Sequence, residues 1–155
     1  MKKILLLSTI LFSISANAQS FNEDKTAFSN FIKRMYTAKP FEGVKIVDDY
    51  ANQYLVSVIS LDKAKYTSES IMNRVAQVKA QSQASTFLNG ATISMDMIIT
   101  TNETKDTTGN VTTIVKTVEQ IKQNSMGFSK GLELLTNFDN ADSKQMVFFY
   151  FREIK

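Results

Sequence analysis

The apolar positions of this chain alternate between two spacings, three to four residues and two, and each switch marks an element. Ala27, Phe28, Phe31, Ile32 and Met35 share one stripe at three-to-four spacing, which predicts a helix over residues 22–37. Asn22 is placed to accept from free first-turn amides, and Glu23 and Asp24 sit at the positive end of the dipole. Pro40, the only proline, disfavours helix at Lys39 and closes the element. The polar side is not especially basic, so the stripe reads as core-facing rather than membrane-bound.

From Val44 to Leu61 the spacing becomes that of strands. Val44, Ile46 and Val47 precede Ala51-Asn52-Gln53, and Tyr54, Leu55, Val56, Val58, Ile59 and Leu61 follow, which predicts a hairpin. Its second strand is apolar on both sides and should lie centrally in a sheet.

Residues 67–88 return to a helical pattern, opened by Thr67 or Ser68 with Glu69 and closed by Asn89-Gly90. Two stripes run along it, Ile71, Val75, Val78 and Ala76, Ala80, Ala84, with Phe87 ending the second. The small alanines would let this helix lie close against a sheet.

Ala91 to Thr101 alternates, with Ile93, Met95, Met97 and Ile99 on one side, and predicts a strand with one wet face. Asp106 to Asn110 reads as a turn and the β-branched run Val111 to Val118 as the return strand of a second hairpin. A bend between Gly127 and Gly131 leads to a strand at Leu132 to Phe138, and residues 137–142 turn into a last strand, Gln145 to Ile154. Strands gathered after helices indicate an α+β fold: a mostly antiparallel sheet of about five to six strands with two helices packed on one face.

The first eighteen residues carry a separate signal. Lys2 and Lys3 precede the apolar run Ile4 to Ile14 and then Ala16-Asn17-Ala18, the form of a secretory signal peptide cut after Ala18. The expectation is a periplasmic or secreted protein whose mature part, residues 19–155, is a single α+β domain of 137 residues. The apolar run is too short to cross a bilayer, and no later stretch matches it, so no transmembrane segment is expected in the mature chain. The chain has no cysteine, so neither a lipid anchor nor a disulfide is expected. The formal charge of +3 shrinks once the leader is set aside: Lys2 and Lys3 leave with it, and 16 basic residues then face 15 acidic ones. Charges of both signs are interspersed without a basic stripe, which argues against a nucleic-acid partner.

Candidate chemistry is sparse. With neither histidine nor cysteine, the commonest general base, the usual zinc ligands and the His-activated nucleophiles are absent. Asp48-Asp49 is the one acid pair beside a predicted strand, but neighbouring strand residues point to opposite faces, and both read as solvated turn acids. Met95-x-Met97 offers two thioethers of the kind a Cu(I) site uses, yet both continue an apolar strand face. Asp139-Asn140-x-Asp142 offers oxygens but too few for Ca²⁺. Asp106-Thr107-Thr108 resembles an O-glycosylation triplet. No enzyme, no cofactor and no metal are therefore expected.

The last strand is more suggestive. Val147, Phe149 and Phe151 occupy one face, and Met146, Phe148 and Tyr150 the other. If both helices cover a single face, the second aromatic row stays open, and such a patch usually marks a partner surface. Phe148 and Tyr150, extended by Tyr54, are the candidate partner-binding residues.

The alanine-spaced helix Ala76, Ala80, Ala84, Phe87, the run Ile93 to Ile99, Val118-Glu119 and Gly127-Phe128-x-x-Gly131-Leu132-Glu133-Leu134-Leu135 together resemble the Lpp-twenty-like family of small bacterial envelope lipoproteins. They are also similar to the N-terminal domain of a flagellar-assembly periplasmic protein. The resemblance spans about residues 65–153 and implies an α+β periplasmic domain without known catalysis, sometimes attached to larger envelope machinery. This chain departs from the family in lacking the lipobox cysteine. The expected function is an exported, non-catalytic domain that binds another envelope protein or itself; the alternative is a small-ligand or glycan-binding protein with an aromatic-lined pocket beside Arg74 or Arg152.

Overall fold

The computed structural model describes residues 20–49, 52–90, 97–100, 107–122 and 125–154. The proposed leader, residues 1–18, lies outside them, as do Met95 and Asp106. The chain divides into two compact units, residues 1–40 and 41–155.

In the first unit, helix α1 spans Ser20–Ala38, two residues earlier than the expected start at Asn22. Phe28, Phe31, Ile32 and Met35 form its less exposed side, while Lys25, Thr26, Asn30 and Arg34 are exposed, as is Ala27, which the expected stripe had included. Lys39 still donates its backbone N–H to the Met35 carbonyl at 3.0 Å, and the chain leaves the helix before Pro40.

The second unit is an α+β fold. Its elements in order are β1 (Gly43–Asp49), β2 (Asn52–Asp62), a 3₁₀ turn (Lys63–Lys65), α2 (Glu69–Gly90), β3 (Ile98–Thr100), α3 (Thr107–Lys122), α4 (Ser125–Lys130), β4 (Glu133–Asp139) and β5 (Gln145–Ile154). The strands form one five-stranded sheet in the order β3-β1-β2-β5-β4, antiparallel except where β3 runs parallel to β1. Gly43 opens β1 at φ +100°, a backbone region that a Cβ strongly disfavours. β2 is central, flanked by β1 and β5, and Leu55 through Ile59 are all buried, as a strand apolar on both sides requires.

Three helices share one face of the sheet. Ala76, Ala80 and Ala84 of α2, Ile114 and Val118 of α3 and Phe128 of α4 belong to one core with Ile46, Leu55, Ile59, Phe148, Tyr150 and Ile154. The alanine ridge faces inward, continued by Met72 and Leu88, whereas Ile71 and Val78 of the other stripe are 43% and 65% exposed. Without side-chain bulk beyond Cβ, α2 lies close enough for Ser57 Oγ to donate towards the Ala80 carbonyl (3.3 Å) and Gln83 Oε1 (3.0 Å). These contacts satisfy a hydroxyl buried in the central strand.

The secondary structure departs from the sequence-based reading chiefly between α2 and β4. The expected second hairpin is not formed: residues 107–110 of its turn and the run Val111 to Val118 of its return strand lie in the helix α3. Ile114 and Val118 are buried while Thr112 and Lys116 are exposed, a division that period two cannot produce and a helical period does. β-branched composition was outweighed by the stripe Ile114, Val118, Ile121 and by its burial against the core. The expected strand Ala91 to Thr101 is observed only at Ile98–Thr100, with residues 91–96 and 101 outside the described residues. Helix α4 replaces the bend expected between Gly127 and Gly131.

Candidate functional site

The three residues proposed for a partner surface do not form one. Phe148 is fully buried and Tyr150 is 3% exposed, both in the core under the helices. The row expected to stay open is the one the helices cover, because the alanine ridge of α2 packs on the face that carries Phe148 and Tyr150. Tyr54 lies on the opposite face, paired with Glu153 across β5, half-buried, with its ring 6.0 Å from that of Phe151. On that opposite face Val47, Val56, Val58, Val147 and Phe149 are fully buried. Phe138 stacks on Phe149 at 5.5 Å and Phe41 meets it edge-on at 6.4 Å.

The acidic candidates also resolve. Asp48 is 3% exposed within β1, not in a solvated turn. Asp139 is engaged by Lys63, with Nζ at 2.9 Å from Oδ2 and 3.0 Å from Oδ1. Asn140 Oδ1 accepts from the Gln145 amide (3.1 Å) and Asp142 Oδ1 from the Lys144 amide (3.0 Å). The oxygens that suggested Ca²⁺ are spent on closing the β4–β5 turn around Ser143, at φ 57°. Among the described residues no group of three or more acids could hold a metal ion.

Arg152 has a structural role. Its Nη1 donates to the carbonyls of Gly127 (2.9 Å) and Phe128 (2.6 Å), and the guanidinium lies 4.6 Å from the centre of the Phe128 ring. It caps the C-terminal end of α4, where a cation complements the dipole and orphan carbonyls need donors. Gly131 leaves the space: a Cβ there would sit 2.6 Å from Arg152 Cζ.

Arg74 has a different setting. The N-terminal half of α2 and the start of β4 enclose an open groove of about 680 Å³, lined by Glu69, Ser70, Asn73, Arg74, Gln77, Leu132, Glu133, Leu134 and Tyr150. The α2 residues fall on one helix face, at positions i, i+4 and i+8 with their neighbours. A register shift between Leu134 and Thr136 makes the other wall. The extra residue, Leu135, sets Leu134 beside Tyr150 on the groove side and Thr136 beside Phe149 on the opposite face, as a bulge does. Leu134 is 43% exposed there.

The floor is Tyr150, whose hydroxyl donates to the Asn73 carbonyl at 3.0 Å. Burial raises its pKa above the ordinary value of 10.0 by penalising the phenolate. Asn73 Oδ1 is enclosed without a hydrogen-bond partner, although buried acceptors are nearly always satisfied. Glu69 and Arg74 are exposed. The arrangement offers an anion-binding guanidinium, a carboxylate and the Gln77 amide along one wall, over a mostly apolar floor.

Sequence reasoning named Arg74 and Tyr150 but placed them in different hypotheses. Glu69, Asn73 and Gln77 escaped because a polar helix face normally reads as solvated, and only the position of β4 turns it into a wall. Comparison with family models, with curated proteins and with solved structures finds no match.

Proposed function

We propose that this chain is an exported, non-catalytic domain of the cell envelope that binds another envelope protein, and that the groove between α2 and β4 receives it. The observation that carries the reading is the groove itself, which sets the exposed charges of Glu69 and Arg74 beside the exposed Leu134. The leader-like residues 1–18 and the likeness to small envelope lipoproteins support the location. The scarcity of catalytic side chains supports a binding role over a reaction.

The groove also bears on the glycan alternative, which called for aromatics beside Arg74. Its one aromatic, Tyr150, is 3% exposed with its hydroxyl engaged, so no ring face is offered for a sugar to stack on. The lining favours a polar, mixed-charge ligand such as a polypeptide.

The test is a photoreactive side chain placed at Gln77 in the groove, or at the exposed Ala141 in the β4–β5 turn, in full chains expressed in the native host. One discrete adduct from position 77, absent from position 141 and lost with Arg74→Glu, is expected in the envelope fraction. An adduct pattern equal at both positions, or none at 77, overturns the reading.

A further inference from the structure

We propose that the groove takes an extended polypeptide segment, which adds as a further strand along β4 and presents an acidic and a basic side chain, two positions apart, to Arg74 and Glu69. The proposal rests on the groove being the binding site and specifies what fills it.

Three observations lead there. First, β4 is the last strand of its sheet, with β5 on one side only among the described residues. The outward row of N–H and C=O groups on such a strand matches another extended backbone. Edge strands are commonly guarded by lysine, proline, other charges or a bulge; β4 has no lysine or proline, and beyond its bulge at Leu135 the run Thr136 to Asp139 is regular, with its one acid, Asp139, held by Lys63. The bulge at Leu135 turns Leu134 towards the groove, so the edge and the groove meet at the same residues.

Second, the helical wall has the spacing of a strand. Glu69 to Gln77 covers about 12 Å of helix axis, the reach of three to four extended residues. Glu69 and Arg74 are separated by about 7.5 Å along that axis and about 140° around it, so it is their long, exposed side chains that converge on side chains i and i+2 of a strand, roughly 6.7 Å apart on one face. Neither makes a hydrogen bond or ion pair among the described residues. An extended segment with opposite charges two residues apart therefore meets both, Arg74 taking the carboxylate in its planar fork. The exposed Gln77 is left to donate to and accept from the segment's polar groups.

Third, a second copy of this chain fits poorly. Pairing β4 with the same strand of another copy would offer Glu69 no basic side chain, because β4 carries two acids and no basic residue. The occupant is a different polypeptide.

The experiment selects random linear decapeptides displayed on phage against the purified exported chain, with Arg74→Glu as counter-target. Selected peptides are then synthesised with N-methyl groups on either alternate set of amides. The expected result is enrichment of acid-x-base pairs and at least a tenfold affinity loss in Arg74→Glu, reversed when the peptide's acid is changed to Lys. One N-methylated set should lose binding tenfold or more and the other less than twofold, because only alternate amides face β4. Amide exchange across residues 133–139 should slow when peptide is bound. Arg74 is exposed, so an unchanged circular dichroism melt establishes that the variant is folded. No enrichment over the counter-target, or equal binding by both N-methylated sets, overturns strand addition. If an adduct still forms at Gln77 in cells, the groove stands as a binding site and only the strand-addition proposal falls. Without that adduct both fail.

Discussion

Gly131 and Arg152 should behave as one unit. The Arg152 guanidinium makes two hydrogen bonds to the carbonyls of α4, at 2.9 and 2.6 Å, and covers the Phe128 ring at 4.6 Å. Arg152 is only partly buried, so each bond contributes about 1 kcal/mol after solvent screening. The ring contact adds about 0.5–1 kcal/mol. Arg152→Ala should therefore cost about 2–3 kcal/mol. In Gly131→Ala the new Cβ would lie 2.6 Å from Cζ and evict the guanidinium from the same contacts. The backbone is not the obstacle, since Gly43 is the only glycine at positive φ among the described residues. Alanine at 131 should even gain about 0.4–1 kcal/mol through the unfolded state once Arg152 is absent. The expected outcome is a Gly131→Ala cost of about 1–2 kcal/mol in the parent and none in the Arg152→Ala background, a coupling of about 2 kcal/mol. Urea unfolding followed by circular dichroism at constant m measures all four corners of the cycle. Costs that add to within about 0.5 kcal/mol would refute the shared-cap argument.

Phe148, fully buried in the core, should cost about 3–5 kcal/mol when cut to alanine. Phe148→Asp should abolish the cooperative thermal transition, since a carboxylate there has no water; a folded Phe148→Asp variant would place the residue on a surface. Tyr150 has its folded-state pKa raised above 10.0 by burial, so its contribution is complete below pH 10 and is lost as pH rises through the higher folded value, because the unfolded chain ionises first. Urea titrations from pH 8 to 11.5 should show the parent losing more stability than Tyr150→Phe above about pH 10; parallel curves would contradict it.

Local patterns along the chain determined several elements. The helical stripe Phe28 to Met35, the hairpin from Val44 to Leu61, the Ser68-Glu69 start of α2 and the last strand from Gln145 to Ile154 all follow from period and the N-terminal cap. Steric and hydrogen-bonding constraints within a few residues fix these features. Even the closeness of α2 to the sheet was readable, because alanine ridges permit it.

Three decisions needed the tertiary structure. Val111 to Val118 carries strand composition and a helical stripe together, and the core that buries Ile114 and Val118 selected the helix. Phe148 and Phe149 are equally apolar neighbours on opposite faces of β5, so no local pattern states which face the helices cover. The groove depends on longer range still. Glu69, Asn73 and Arg74 become a wall only because β4 folds back, about sixty residues later, to the edge of the sheet beside them. Side-chain type sets what a position can do within its own element, whereas a site between elements is a matter of strand order, and strand order is decided by the packing of the whole unit.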